Sequence, residues 1–478
     1  MTARRAVSAL AISALLLSIL VPGAVARSTK TATTLDAAGA SALCDDLFGD
    51  TYDVASTEPL ASCQWDMSLI NANDATRARA TGKGVVVGVV DSGVDLTHAD
   101  IVANLDLARS CSFIFDHDAL ALDIEKGNGD CSNKAAVQDH FGHGTHVSSI
   151  IAAPINGVGI AGVAPQATIV AIKACNWQTF CFADSVAAAI RYAGDIRVDV
   201  VNMSLFADPY LYYCGNDAEQ RAQYRSIQSA VRYAQQRGVL MVVAAGNQAD
   251  DMAHPTTDVI SPDWPPDAAV ERVVHNNCKR APTEIPGVLA VSATGPVGIE
   301  DYTTNIASYS DTGIGVVGVT APGGDYFAAT GTVQDAVLAA TTSTDDARLF
   351  AAFAGLPLPG LTVTDGGARY VELNGTSMAS PHAAGVAALI VERHPGWSPG
   401  AVSAAVQRTA SPLACPADWV PLFEGDLRTK CYGNAAMNSF FGHGIVDAWA
   451  ATHGVTKGAR RLPEAKRAPG RRPGARDS

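Results

Sequence analysis

Hydrophobic positions along this chain fall into two kinds of run. Continuous apolar stretches of strand length lie at residues 84–90 and 238–245, and residues 198–205 read as a third buried strand. Continuity, in place of strict alternation, marks strands covered on both faces, the habit of parallel sheets. Between and around them, residues 147–153, 184–193, 219–237 and 383–391 read as helices. Strands alternating with helices predict an α/β fold: three layers, a mostly parallel twisted sheet with helices on both faces. A region of this length can bury a large core.

Polar residues mark where these elements end. Asp91-Ser92-Gly93 follows the first strand, and Asn247 follows the strand at 238–245. Ligands of open parallel sheets collect outside the carboxyl ends of strands, so Asp91 and Asn247 point to one shared site. Residues 139–147 set His143 and His146 just before a helix; residues 374–382 set Ser377 among small neighbours before another. A serine hydroxyl becomes a nucleophile only when a base takes its proton and donors stabilise the oxyanion. A helix N-terminus supplies such donors.

The motifs Asp91-Ser92-Gly93, His143-Gly144-Thr145-His146 and Gly375-Thr376-Ser377-Met378-Ala379, continued by Pro381-His382, resemble those of the subtilisin-like serine peptidases, the subtilase family. The resemblance covers residues 64–452 and implies a subtilisin-like fold. It further implies that Ser377 attacks a peptide carbonyl, His143 is its base, Asp91 orients His143, and Asn247 joins the Ser377 N–H in the oxyanion hole. No cofactor is required for that chemistry. Rival readings are His146 as base, Asp95 as orienting acid and Ser380 as nucleophile. His146 and His382 read more simply as packed core histidines, and His98, His140 and His443 as loop residues.

By the same resemblance, Ser204 and Leu205 line the specificity pocket, with Ala244, Ala245 and Gly246 opposite. Phe206 stands where the family usually has glycine, and the far edge of the cleft, at Gln178, Thr179 and Phe180, is bulkier than usual. Arg280 falls near the expected pocket base, where it either attracts an acidic side chain or, more plainly, lies at the surface. Asp100 and Asn156 match ligand positions of a structural calcium site, although a turn-capping carboxylate and a turn asparagine would look the same.

Composition narrows the setting. Residues 1–26 combine Arg4 and Arg5 with an apolar run and Ala24-Val25-Ala26, the form of a signal peptide. Ten cysteines, an even number, fall as neighbours: Cys44 and Cys63, Cys111 and Cys131, Cys175 and Cys181, Cys214 and Cys278, Cys415 and Cys431. Behind a signal peptide they read as disulfides, with connectivity left open. Net charge is −13, yet from Lys457 onward eight Lys and Arg against two Asp and Glu leave a tail of +6 on a remainder of −19. An acidic folded part argues against nucleic acid.

The expected organisation is a signal peptide (1–26), a short pro-segment or N-terminal extension (27–61), a peptidase domain (62–452) and a basic disordered tail (453–478). Insertions are expected near 250–277 and 326–370, both between Asn247 and Ser377, so both border the cleft. The expectation is a secreted, monomeric serine endopeptidase acting on proteins or peptides, without a membrane span. A non-catalytic binding protein on the same scaffold and an esterase remain alternatives.

Overall fold

The computed structural model describes residues 34–49, 52–265, 268–296, 306–325, 335–343, 362–416 and 425–454. The signal peptide, the basic tail beyond Gly454 and most of the 326–370 insertion lie outside them.

Strand β1 is Leu35–Asp36, followed by helix α1, Ala37–Phe48. The central sheet comprises β2 (Val86–Asp91), β3 (Cys111–Ser112), β4 (Thr168–Lys173), β5 (Val200–Met203), β6 (Leu240–Ala244), β7 (Leu289–Thr294) and β8 (Val317–Pro322). All its pairings are parallel, in the order β8-β7-β6-β5-β2-β4-β3. The chain leaves β2 toward β4 on one side and returns to β5 on the other. Asp91 therefore closes the strand at the topological switch point, where a crevice opens.

Alternate residues of each strand face two different cores. Val87, Val89, Val200, Leu240 and Val242 pack with helices α2 (His143–Ala152) and α5 (Thr376–Arg393). Val90, Val201, Met203, Met241 and Val243 pack with α3 (Ala183–Asp195) and α4 (Ala218–Gln236). The continuous apolar runs arise because both faces are covered.

Helix α5 begins seven residues before the apolar run expected at 383–391, and takes in Ser377 and Pro381. A proline interrupts a helical pattern because it lacks an N–H and crowds the carbonyl four residues back. That carbonyl belongs to Ser377, and Ser204 supplies the missing donor, its hydroxyl lying 2.9 Å from the Ser377 oxygen. Helix α2 likewise starts at His143, four residues earlier than the apolar pattern indicates.

A second sheet, β1-β10-β11-β9, joins β1 to β9 (Val337–Thr341), β10 (Thr362–Asp365) and β11 (Ala368–Leu373). Strand β11 runs directly into the Ser377 turn. Helix α1 buries Ala40, Cys44 and Phe48 against the main core, and Cys44 is bonded to Cys63. The described part of the N-terminal extension is thus built into the domain. All five neighbouring cysteine couples are disulfides. Among the described residues no helix is long and apolar enough to cross a membrane.

Candidate active site

Asp91 and His143 meet because β2 and α2 approach very closely. A Cβ on Gly144 would lie 2.1 Å from the Gly93 carbonyl oxygen, so only glycine permits the approach. His143 Nδ1–H donates to Asp91 Oδ1 at 2.8 Å, and that oxygen also accepts the Ser92 N–H at 2.7 Å. The bond fixes the tautomer and leaves Nε2 as the basic nitrogen, with no hydrogen-bond partner among the described residues. Burial pulls the His143 pKa down, but the charge and hydrogen bond of Asp91, with the charge of Asp139, more than offset it and leave it raised.

Asp139 knits the two strand-end loops together. Its Oδ1 accepts from the Ser92 hydroxyl and from the N–H groups of Phe141 and Gly142, while Oδ2 accepts from the Thr145 N–H and hydroxyl. Beneath it, the fully buried Lys173 Nζ donates to the Ser92 and Gln138 carbonyls and pairs with Glu125 at 2.8 Å. Asp139 opens the 139–147 segment, where sequence alone makes only the histidines stand out. Lys173 had only one signal, a cation closing an apolar strand.

Ser377 sits in the first turn of α5, where N–H groups lack intrahelical acceptors. Its hydroxyl donates to the Ser204 carbonyl at 3.3 Å. Asn247 Oδ1 accepts from the Thr376 N–H and hydroxyl, each at 2.9 Å. The backbone N–H can only donate, so the amide oxygen must face it, and Nδ2 turns the other way. Asp91, His143, Asn247 and Ser377 all border one cavity. Such a set can take a proton from Ser377 and hold a developing oxyanion.

The rival residues are engaged elsewhere. His146 donates from Nε2 to the Val371 carbonyl at 3.0 Å, and burial pushes it down to about 3. His382 lies between the Met378 carbonyl and Asp66. His98 meets the Arg369 carbonyl, His443 meets the Ala436 carbonyl, and His140 is buried. Asp95 caps Thr97 and Ser343. Ser380 is buried, 2.9 Å from the Ser204 hydroxyl.

The same cavity is walled by Ser204, Leu205 and Phe206 on one side and Ala244, Ala245 and Gly246 on the other, with Thr179 and Phe180 at the edge. Phe206 also packs with Leu211, Tyr212, Val274 and Cys278, so its ring is held by the 250–277 insertion and the adjoining Cys214–Cys278 disulfide. Arg280 corrects a reading: it is 1% exposed, not superficial. Its guanidinium pairs with Asp250 at 2.8 Å and with Asp311, bonds Gln248 at 2.9 Å and lies over the Tyr212 ring. Two carboxylates match its charge, which removes the reason to expect an acidic substrate side chain.

Asp100 and Asn156 do come together, but not as a cation cage. Asp100 Oδ2 accepts from the Tyr370 hydroxyl at 2.8 Å and the Ile160 N–H at 3.2 Å. Asn156 turns its donor Nδ2 toward Asp100 Oδ1, and its own Oδ1 accepts the Val158 N–H. Burial pushes Asp100 up to about 7. As placed, these residues do not present the clustered oxygens that calcium needs.

Residues 82–444 match the family model of the subtilases. The chain is 28% identical over 401 residues to M-protease of Shouchella clausii, covering 84% of this chain and 72% of that protein. It is 27% identical over 392 residues to Subtilisin Savinase of Lederbergia lenta, covering 82% of this chain and 99% of that protein. Among solved structures, the epidermin leader peptide processing serine protease of Staphylococcus aureus superposes with a TM-score of 0.58 at 22% identity, over 86% of this chain and 85% of that one. The nisin leader peptidase of Lactococcus lactis gives 0.57 at 21% identity, over 84% and 96%. At those identities the structures speak for the fold alone.

Proposed function

The chain belongs to the subtilase family of serine-type endopeptidases, and from that premise we propose that it is exported and cleaves protein or peptide chains through an acyl-enzyme on Ser377. The observation that carries this reading is the Asp91–His143 hydrogen bond at the mouth of a cavity that Ser377 and Asn247 also border.

In the first half-reaction the Ser377 hydroxyl turns from the Ser204 carbonyl to His143 Nε2, which takes its proton as Oγ adds to the substrate carbonyl. Asp91 keeps Nδ1 protonated and stabilises the imidazolium. The oxyanion is met by Asn247 Nδ2 and the Ser377 N–H, strengthened by the positive end of α5. Collapse expels the amine, which receives the proton from His143 and leaves an ester on Ser377. Water, deprotonated by His143, then cleaves that ester and restores the serine. Each step uses side chains and backbone of this chain only.

Export is supported by the signal-peptide form of residues 1–26 and by five disulfides, which persist in oxidising compartments. Labelling with diisopropyl fluorophosphate tests the reading: the folded protein should be modified at Ser377 and the Ser377→Ala variant should not. A folded, unlabelled wild type would refute it. Turnover on matched peptide and ester substrates separates a peptidase from an esterase.

A further inference from the structure

Besides the residues at 204–206 and 244–246, the cavity is lined by Asp208, Leu211, Asp263, Arg280 and Thr283. Neighbouring acids already have cations: Asp250 and Asp311 share Arg280, and Asp258 holds Arg272. Asp208 and Asp263 differ. Among the described residues no lysine or arginine pairs with either, and both line the one cavity, close enough for the charge of Asp263 to act on Asp208. Two like charges placed together in a buried site favour the protonated form of one of them. Burial, then the charge of Asp263, pushes Asp208 well up, and burial raises Asp263.

Both groups are held in place. Asp208 is 4% exposed, and its Oδ2 also accepts the N–H of Cys181, within the loop closed by the Cys175–Cys181 disulfide. Asp263 comes from the 250–277 insertion, and its own N–H donates to the Pro209 carbonyl at 3.0 Å. Its Oδ1 is buried without a hydrogen-bond partner among the described residues. A buried carboxylate oxygen left unpaired is costly, and a donor brought by the substrate would relieve it.

We propose that this cavity selects a basic side chain, arginine or lysine, on the residue whose carbonyl Ser377 attacks, with Asp208 and Asp263 as the specificity determinants. The inference rests on the endopeptidase reading above. An entering guanidinium or ammonium displaces the carboxyl proton to solvent and supplies the missing donors. Its aliphatic stem packs along Leu205 and Ala244, while the charge meets carboxylates in surroundings of low dielectric. Arg280 does not oppose it, because its charge is already matched by Asp250 and Asp311.

The test uses the full-length secreted enzyme and peptides identical except for arginine, lysine, leucine, phenylalanine or glutamate before the scissile bond. Arginine and lysine should give kcat/KM at least about tenfold above the others. Asp263→Asn should lower those two by about tenfold or more, move the leucine and phenylalanine rates less than about threefold, and weaken competitive inhibition by benzamidine in parallel. Asp208→Asn should act the same way, but it also disturbs the Cys181 contact, so Asp263→Asn is the deciding variant. A wild type without preference for basic residues, or a ranking that Asp263→Asn leaves unmoved, overturns the inference. If Ser377 is labelled by diisopropyl fluorophosphate while the ranking fails, only the specificity falls. If nothing is cleaved and nothing labelled, the peptidase reading falls with it.

Discussion

Ser204 and Ser377 hold each other by reciprocal hydrogen bonds: the Ser204 hydroxyl donates to the Ser377 carbonyl at 2.9 Å, and the Ser377 hydroxyl to the Ser204 carbonyl at 3.3 Å. The first bond replaces the helical donor that Pro381 cannot provide. It ties the turn that carries Ser377, the proposed nucleophile, to the end of β5, next to the cavity that Ser204 also lines. In the proposed reaction, binding and catalysis share that anchor.

Ser204→Ala should therefore cost about 1–3 kcal/mol of stability, the penalty for leaving a buried carbonyl unpaired, and lower kcat about tenfold. In a Pro381→Ala background the new N–H can bond the Ser377 carbonyl, so the same change should cost less than half as much. A denaturant double-mutant cycle measures this, and additive losses would contradict the anchor.

The pH dependence of kcat/KM has a defined sign. Only neutral His143 can act as base, and its pKa is raised above 6.5 by Asp91 and Asp139 in spite of burial. Activity should fall as pH drops through that raised value, so the acid limb lies above 6.5. Asp139→Asn removes one of the two negative charges and should shift the limb downward. A limb at or below 6.5, or one that Asp139→Asn leaves in place, counts against the assignment.

His146 makes the fold acid-sensitive. Its pKa falls from 6.5 in the unfolded chain to about 3 when buried, so the unfolded state binds the extra proton first. The stability contributed by keeping it neutral is present above the unfolded value and drains as pH falls toward the folded one, by about 1.4 kcal/mol per pH unit. His146→Gln keeps a donor for the Val371 carbonyl and should flatten the urea-derived stability over about two pH units below the unfolded value. An unchanged slope would show that other groups carry the acid response.

The Asp100 carboxylate should hold its place without calcium, because Tyr370 and Ile160 already satisfy it. Chelation with EDTA should leave the melting temperature of the wild type unchanged to about a degree, on the scale where about 1 kcal/mol moves it by a few degrees. A loss of several degrees that Asp100→Asn abolishes would restore a calcium ion to this position.

Much of the site is legible in the sequence because its signals are local. Asp91 and Asn247 stand out at the ends of apolar runs whose continuity betrays a parallel sheet, and His143 and Ser377 stand among small residues that open helices. The disulfide partners are neighbours in the chain, which makes the sequential pattern natural, although connectivity itself was open until the folded distances placed each couple together. Helix starts were less legible. Pro381 hides the beginning of α5, because the donor that compensates for it comes from Ser204, 173 residues away.

The sequence by itself determined the layered α/β architecture and singled out the candidate reacting groups, since strand continuity and each motif depend on residues close together in the chain. Only the tertiary structure decided what surrounds them. Arg280 looks superficial in sequence but is buried and neutralised by Asp250 and Asp311, which no local pattern announces. Asp208 and Asp263 are two unrelated loop aspartates until the insertion folds back and sets both in the lining of one cavity. Charge compensation is a property of space, and the cavity's chemistry had to wait for the fold.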